Sequence, residues 1–310
     1  MIFEIDDDLW ALPQPVLGDS RVEFTNCYIL RGADGEIHVI DPGWSTEPNW
    51  RRLQQGLAEI GASTDDIAEV LATHLHADHL GLARQARDHV RAPFVLGTVE
   101  AETLAVDIPT RWSAETLTRQ LERWGAPRED RERIVRALAS ELPPEFPQPD
   151  RTLDDGELLP ITGRSIRAVL TPGHTPGHLC FWDQDRDCLF TGDHVLPHIH
   201  PGLGLAGDGA AVNGLVDYID SLDRVEGIAG SALPGHGDPI DDLGARVREI
   251  RNHQFRRSAE IAVLRAPGDT AWSVATRLRW RENWSRMGAF RQHSAVSQVA
   301  MHLRRLDAMS

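Results

Sequence analysis

The sequence predicts an α/β fold that ends in a helical segment, and three patterns support this prediction. Short runs rich in β-branched and aromatic residues alternate with stretches of helical period between residues 22 and 97. Strand-like runs resume between residues 158 and 190, after a stretch of helical character. From about residue 245 onward the period is helical throughout. A chain of 310 residues is long enough for one large domain with a small appendage.

The first elements predict a hairpin followed by a βαβ rhythm. Residues 22–30 and 37–40 flank a Gly-Ala-Asp-Gly turn and form the expected antiparallel hairpin. The next expected elements are a helix at 50–60, a buried strand at 67–72, a helix at 81–90 and a strand at 93–96.

Residues 98–150 interrupt this rhythm with helical patterns at 114–124 and 128–142, so we expect a helical insertion between elements of the sheet. Strand patterns then resume at 158–160, 165–170, 179–182 and 188–190. Helical patterns close the chain at 245–264, 271–280 and 290–306. We therefore predict a main domain at residues 1–244 and a small helical domain at residues 245–310.

Composition narrows the possible locations and partners. No apolar stretch approaches the roughly 18 residues that a membrane helix needs, which excludes a membrane partner. The acidic N-terminus lacks the basic and apolar regions of a signal peptide, so a cytoplasmic location is expected. All 32 basic residues are arginine, which is typical of a bacterium with a GC-rich genome. No cysteine has a metal or redox spacing, and we expect core thiols at Cys27, Cys180 and Cys188.

The formal net charge of −15 is unevenly distributed along the chain. Residues 245–310 hold 13 arginines and five acidic residues, whereas residues 1–244 hold 19 arginines and 42 acidic residues. A basic segment of this kind either binds a polyanion or lies against an acidic body, and the second arrangement is the commoner one.

The segment Thr73-His-Leu-His-Ala-Asp-His79 places four potential metal ligands within six residues. It follows a predicted buried strand, and a loop at the carboxyl end of a strand can bring such side chains to one point. A single histidine is usually a packed or surface residue, but three histidines and an aspartate in so short a loop are not explained in this way. The segment therefore predicts a metal site.

Three further candidate ligands stand in turn sequences rich in glycine and proline. They are His174 in TPGHTPGH, Asp193 in TGDH and His236 in PGHG. Glycine beside a ligand lets the backbone approach a metal closely. Five histidines and two aspartates suit zinc, with manganese or iron also feasible, and mixed ligands of this kind are typical of catalytic sites.

The order HxHxDH, a lone histidine, TGD and PGHG resembles the metallo-β-lactamase superfamily. The resemblance implies an αββα sandwich, in which two mixed sheets lie between helices, and two divalent metal ions. It implies that His74, His76 and His174 bind the first ion, that Asp78, His79 and His236 bind the second, and that Asp193 bridges them. The resemblance also implies that Asp78 and Asp193 are catalytic. Both would hold the metal ions between which a water attacks a carbonyl or phosphoryl centre. Asp41 is similar to an acidic residue that the family keeps near the metals.

The whole chain most resembles a glyoxalase II-like branch, the group of beta-lactamase-like protein 2, which carries a winged-helix-like region at its C-terminal end. Three functions remain open. The leading hypothesis is hydrolysis of a small thioester, lactone or other ester, because the acidic main domain should repel nucleic acid. The first alternative is an endonuclease of single-stranded RNA, favoured by the basic C-terminal segment. The second is a metal-retaining binding or regulatory module.

Four residues are candidates for contact with a small-molecule substrate: Tyr28, Trp112, His194 and His198. Tyr28 lies on a strand that the family places near the site, and the two histidines closely follow Asp193. Each also has a plainer explanation, because a strand tyrosine or a helical tryptophan more often packs in a core. A homodimer is possible.

Overall fold

The computed structural model describes residues 1–17, 22–106, 113–139, 147–203 and 213–309. Seven strands form the first sheet in sequence order, antiparallel from β1 to β4 and parallel from β4 to β7. These strands are β1 (Phe3–Asp6), β2 (Leu9–Pro15), β3 (Phe24–Arg31), β4 (Ile37–Ile40), β5 (Ile67–Leu71), β6 (Phe94–Gly97) and β7 (Arg151–Leu153).

Four strands form the second sheet, in the order β11-β10-β9-β8. They are β8 (Ile166–Leu170), β9 (Leu179–Asp183), β10 (Cys188–Gly192) and β11 (Ser231–Pro234). β9 is antiparallel to both of its neighbours, and β11 is parallel to β10. Strands β8, β10 and β11 therefore run in the same direction.

The helices are α1 (Glu47–Glu59), α2 (Ala77–Leu80), α3 (Ala83–Val90), α4 (Thr98–Val106), α5 (Ala114–Arg123), α6 (Arg128–Ala139), α7 (Gly214–Val225), α8 (Leu243–Leu264), α9 (Ala271–Arg277) and α10 (Ala289–Ala308). Several of these helices begin at a residue whose side chain caps the helix. Thr46 accepts a hydrogen bond from the Asn49 amide at the start of α1. Thr270 and Ser273 form a reciprocal capping box at the start of α9.

The core has layers because side chains alternate across each strand. Tyr28 and Leu30 of β3 point between the sheets, where they join Phe181 and Phe190 of the second sheet. The opposite face of the first sheet packs against the helices that follow its strands. The opposite face of the second sheet packs against α7 and α8. This is the expected αββα sandwich, and the fold prediction is confirmed. The three predicted core cysteines are all buried and free.

The carboxyl ends of six strands meet at one edge of the sandwich. In the first sheet, β4, β5 and β6 end there at Ile40, Leu71 and Gly97. In the second sheet, β8, β10 and β11 end there at Leu170, Gly192 and Pro234. Backbone hydrogen bonds join the two sheets there, from the Leu179 amide to the Thr73 carbonyl at 2.9 Å and from the Asn26 amide to the Gly235 carbonyl at 2.7 Å. A ligand site at this edge follows the general rule for α/β sheets.

The residues between β6 and β7 include α4, α5 and α6, and of these α5 and α6 pack on the C-terminal helices. Leu121 and Ile134 of the insertion share one apolar cluster with Trp272 and Val296. Residues 243–309 form helices and one 3-10 turn, without a strand in that range. The winged-helix likeness and the division at residue 244 stay predictions. Within the described ranges, no helix is long and apolar enough to cross a membrane.

Candidate metal centre

The loop after β5 brings four of the predicted ligands to the edge where the strand ends meet. The chain leaves the strand at Leu71, and His76 then takes an extended conformation at the N-cap of α2. Asp78 and His79 lie in the short helix that follows. A helical turn after an extended residue lets His74 and His76 face one point while Asp78 and His79 face another.

The first group contains His74, His76, His174 and Asp193. His76 Nδ1 lies 2.9 Å from His74 Nε2 and 3.0 Å from His174 Nε2. His174 Nε2 lies 3.3 Å from His74 Nε2 and 3.5 Å from Asp193 Oδ2. Three imidazole nitrogens and a carboxylate oxygen therefore converge from loops of both sheets.

The second group contains Asp78, His79 and His236. His79 Nε2 lies 3.3 Å from His236 Nε2 and 3.6 Å from Asp78 Oδ2. His236 Nε2 lies 3.4 Å from the same Asp78 oxygen. The spacing resembles that of the first group, with one histidine fewer.

Asp193 lies between the two groups. Its Oδ2 faces His174, whereas its Oδ1 lies 3.5 Å from His79 Nε2 and 3.3 Å from His236 Nε2. Oδ1 is buried without a well-formed hydrogen bond. Gly235 leaves the space for this arrangement, because a Cβ at that position would stand 2.9 Å from Asp193 Oδ1.

In three of the candidate ligand histidines, the hydrogen bond made by Nδ1 determines that Nε2 carries no hydrogen. His174 Nδ1 donates to the Gly202 carbonyl at 2.6 Å, and His236 Nδ1 donates to the Phe24 carbonyl at 2.7 Å. The Thr73 hydroxyl gives its hydrogen to Asp41, so His74 Nδ1 must donate to Thr73 Oγ1. In all three rings Nε2, the atom that faces the ligand groups, is left to bind a cation.

Asp41 supports the second group from behind. Its Oδ2 accepts a hydrogen bond from His79 Nδ1 at 2.8 Å and another from the Thr73 hydroxyl at 2.9 Å. Its Oδ1 accepts the Thr73 amide at 2.7 Å. Asp41 therefore orients His79 directly and His74 through Thr73.

The electrostatics of the two groups favour a bound cation. Burial and the neighbouring His174 lower the pKa of His76 to about 3, so this ring is neutral at physiological pH. Burial also lowers the pKa of His236, but the carboxylates of Asp193 and Asp78 outweigh burial and raise that pKa well above its usual value. Protons and a divalent cation thus compete for His236 Nε2. Neutral imidazoles with buried carboxylates are a donor set that fits zinc or a similar metal ion.

His178 supports the site, although the sequence analysis gave it no role. It is fully buried, and its Nε2 accepts the Asp193 amide at 3.2 Å while its Nδ1 donates to the Thr171 hydroxyl at 2.9 Å. Its position four residues after His174, in the repeat TPGHTPGH, is the signal that could have identified it.

The four predicted substrate contacts lie in different surroundings. Tyr28 is buried, and its hydroxyl donates to the Pro234 carbonyl at 2.7 Å. His194 is buried against Tyr218, with 5.1 Å between ring centroids. His198 is exposed and lies 3.4 Å from Asp238. Trp112 lies outside the described residues.

Comparisons with known proteins agree with this architecture. A metallo-beta-lactamase family protein from Thermus thermophilus is 30% identical, with a TM-score of 0.78, and the match covers 99% of this chain and 95% of that one. An atrochrysone carboxyl ACP thioesterase of Aspergillus fumigatus is 27% identical, over 79% of this chain and 60% of that protein. A beta-lactamase-like protein 2 homolog of Caenorhabditis elegans is 26% identical, over 79% of this chain and 66% of that protein.

The chain spans about three fifths of the length of the first curated relatives that it matches. The family match itself is broad, because the metallo-beta-lactamase superfamily pattern covers residues 20–252. That region contains every residue of the two ligand groups. The chain therefore belongs to the metallo-beta-lactamase superfamily.

Proposed function

We propose that this protein is a dinuclear metal-dependent hydrolase that cleaves a small thioester, lactone or other ester. The observation that carries the proposal is the position of Asp193, with one carboxylate oxygen facing each of two ligand groups. His74, His76 and His174 would hold the first ion, and Asp78, His79 and His236 the second. The ions are most simply two Zn²⁺, and manganese or iron would also suit these donors.

When bound, the two ions would supply Lewis acidity and a hydrolytic nucleophile at neutral pH. Burial raises the pKa of Asp78, but His79 and His236 outweigh burial and lower it below its usual range. Asp78 is therefore ionised and can accept a hydrogen bond from the attacking water, which would orient that water. The Thr25 hydroxyl, 3.4 Å from Asp78 Oδ2, holds this carboxylate in place. Asp193 would contribute one carboxylate oxygen to each of the two ligand groups.

The preference for an ester over a phosphodiester rests on two observations. One curated relative is a thioesterase by name. The basic C-terminal segment also carries less net positive charge than its arginines alone indicate, because at least seven of its 13 arginines form ion pairs with acidic residues. The acidic partners offset part of the positive charge that a polyanion would meet. Single-stranded RNA is accordingly the alternative substrate, and the winged-helix likeness of the C-terminal segment is part of that alternative.

The test is a metal analysis of the purified protein followed by a substrate panel of thioesters, lactones, simple esters, phosphodiesters and single-stranded RNA. We expect two ions per chain and turnover of a thioester, lactone or other ester. Asp193→Asn should reduce that turnover by roughly a hundredfold or more, because it disturbs both ligand groups at once. Asp220→Asn, an exposed aspartate on α7, is the matched control and should leave turnover unchanged.

Three results would point elsewhere. Cleavage of RNA with no ester or thioester turnover favours the nuclease. If the protein binds two ions but turns over no substrate in the panel, the result favours a binding or regulatory module. A purified protein that binds no divalent ion contradicts the proposal.

A further inference from the structure

Glu100 is a fully buried carboxylate in the first turn of α4, close behind the histidine loops. Its Oε1 accepts the backbone amide of Leu75 at 3.1 Å, and its Oε2 accepts the backbone amide of Gly177 at 2.8 Å. Leu75 stands between His74 and His76 in the chain, and Gly177 stands three residues after His174. One carboxylate thus joins the two loops that carry the histidines of the first ligand group.

The contact is close enough to fix the spacing of these loops. A Cβ at Gly177 would stand 2.3 Å from the Glu100 amide nitrogen, so the glycine backbone lies directly on the first turn of α4. A buried carboxylate is costly unless it accepts hydrogen bonds, and here each oxygen accepts one from a backbone amide. Loss of either bond would leave an unpaired polar group in the interior.

The support acts most directly on the first ligand group. The two loops that Glu100 joins hold three of the four residues of that group, and although the loop after β5 also carries Asp78 and His79, the amide that Glu100 binds there stands between His74 and His76. His79 of the second group has a direct support in Asp41. The hydrogen bonds of Glu100 to Leu75 and Gly177 do not involve the loop that carries His236.

We propose that Glu100 is a positioning residue that sets the distance between His74 and His76 on one loop and His174 on the other. It thereby sets the affinity of the first group for its metal ion without contacting that ion. This inference rests on the proposed function, because it requires that the first group binds a metal.

The test is Glu100→Gln, which keeps the shape of the side chain but turns one amide NH₂ toward a backbone N–H. Zn²⁺ affinities are measured by competition with a chromophoric chelator, and the unfolding of the metal-free protein is measured in urea. We expect one of the two binding steps to lose about 10- to 100-fold in affinity and the other step to stay unchanged. Glu102→Gln, an exposed glutamate on the same helix, should change neither step.

A second variant, Glu100→Asp, keeps the charge but shortens the side chain, and it serves if the glutamine variant does not fold. It should weaken the same single step. Equal weakening of both steps, in either variant, would show a general structural role and overturn the inference. So would unchanged affinities in Glu100→Gln when the wild-type protein binds two ions. Failure of the wild-type protein to bind Zn²⁺ would instead overturn the proposed function.

Discussion

Asp41 accepts three hydrogen bonds with two oxygens, and this makes its chemistry hard to replace. An asparagine has one acceptor oxygen, so its NH₂ would face either the Thr73 amide or the donors at His79 and the Thr73 hydroxyl. Either orientation turns the NH₂ toward at least one donor and leaves that donor unpaired. The residue also has a positive φ of 53°, a conformation that asparagine tolerates as well as aspartate does.

We therefore expect Asp41→Asn to fold but to bind metal more weakly at the second group, by about 10- to 100-fold, because one oxygen cannot serve all three donors and His79 is then held less firmly. Chelator competition with Zn²⁺ measures this change. Asp183→Asn is the matched control, since Asp183 is equally buried but pairs with Arg164 in the second sheet. The control should lower stability without changing metal affinity. A metal affinity of Asp41→Asn equal to that of the wild type would contradict the prediction.

At the scale of single residues, the sequence predicted the candidate ligands far better than their supports. The candidate ligands stand in compact motifs, so local spacing was enough to predict them. Their supports include the carbonyls of Phe24 and Gly202, which are backbone atoms that any residue could supply. Glu100 had a recognisable position, since it follows β6 at the same edge where Asp41 follows β4. That position becomes meaningful only once the two strands are known to run parallel in one sheet, on either side of β5.

Among the elements, the loop that carries His174 depends on its contact with α7. Gly173 has a φ of 135°, and a Cβ there would stand 2.5 Å from the Tyr218 Cβ and 2.6 Å from the Tyr218 Cα. The helix backbone cannot move away without disturbing Tyr218, whose hydroxyl donates to the His194 carbonyl. Gly173 therefore couples the position of α7 to the first ligand group.

Gly173→Ala should lower the free energy of unfolding by more than about 2 kcal/mol, since backbone strain and a steric clash add. Gly156→Ala is the matched control, because Gly156 has a φ of 81° but no heavy atom within 4 Å of the added Cβ. The control should cost only about 1 kcal/mol of strain. Urea unfolding of the metal-free proteins compares the two, and an equal loss in both would show that the contact with Tyr218 is unimportant.

Some of the elements that the sequence analysis missed have weak local patterns. β2 contains Pro13 and Pro15, which normally argue against a strand inside a sheet. They are tolerated because β1 pairs only with the segment from Leu9 to Ala11, which leaves that end of β2 paired on one side. Residues 158–160 were predicted to form a strand, and this prediction is wrong. They form only an isolated bridge between Leu158 and Arg167.

For the molecule as a whole, helices α5 and α6 and the C-terminal helices form one helical core, although α6 ends at Ala139 and α8 begins at Leu243. The Trp272 amide donates to the Trp124 carbonyl at 2.9 Å, and His293 Nε2 pairs with Gln120 Oε1 at 2.8 Å. The helical spacing of apolar residues predicts which face of each helix is apolar. It does not predict which other helix packs against that face. Only the fold shows that these faces cover each other.

This core contains two buried histidines whose protonation opposes folding. Burial lowers the pKa of His293 to about 4. Burial and the nearby Arg257 and Arg305 lower the pKa of His302 to about 3. In the unfolded chain both groups have a pKa of about 6.5, so below that pH the unfolded state binds more protons than the folded state. The free energy of unfolding must therefore fall as the pH falls from 6.5 toward 4.

The prediction is tested by urea unfolding between pH 6.5 and 5.0 in the presence of a chelator, above the range where most carboxylates titrate. Each histidine contributes at most about 1.4 kcal/mol per pH unit to the slope. His293→Gln with His302→Gln should lower the slope by up to twice that amount, because glutamine keeps hydrogen-bonding capacity without a titrating group. His89→Gln, at an exposed histidine on α3, should leave the slope unchanged. A double variant with the wild-type slope would mean that these two rings accept protons without unfolding the core.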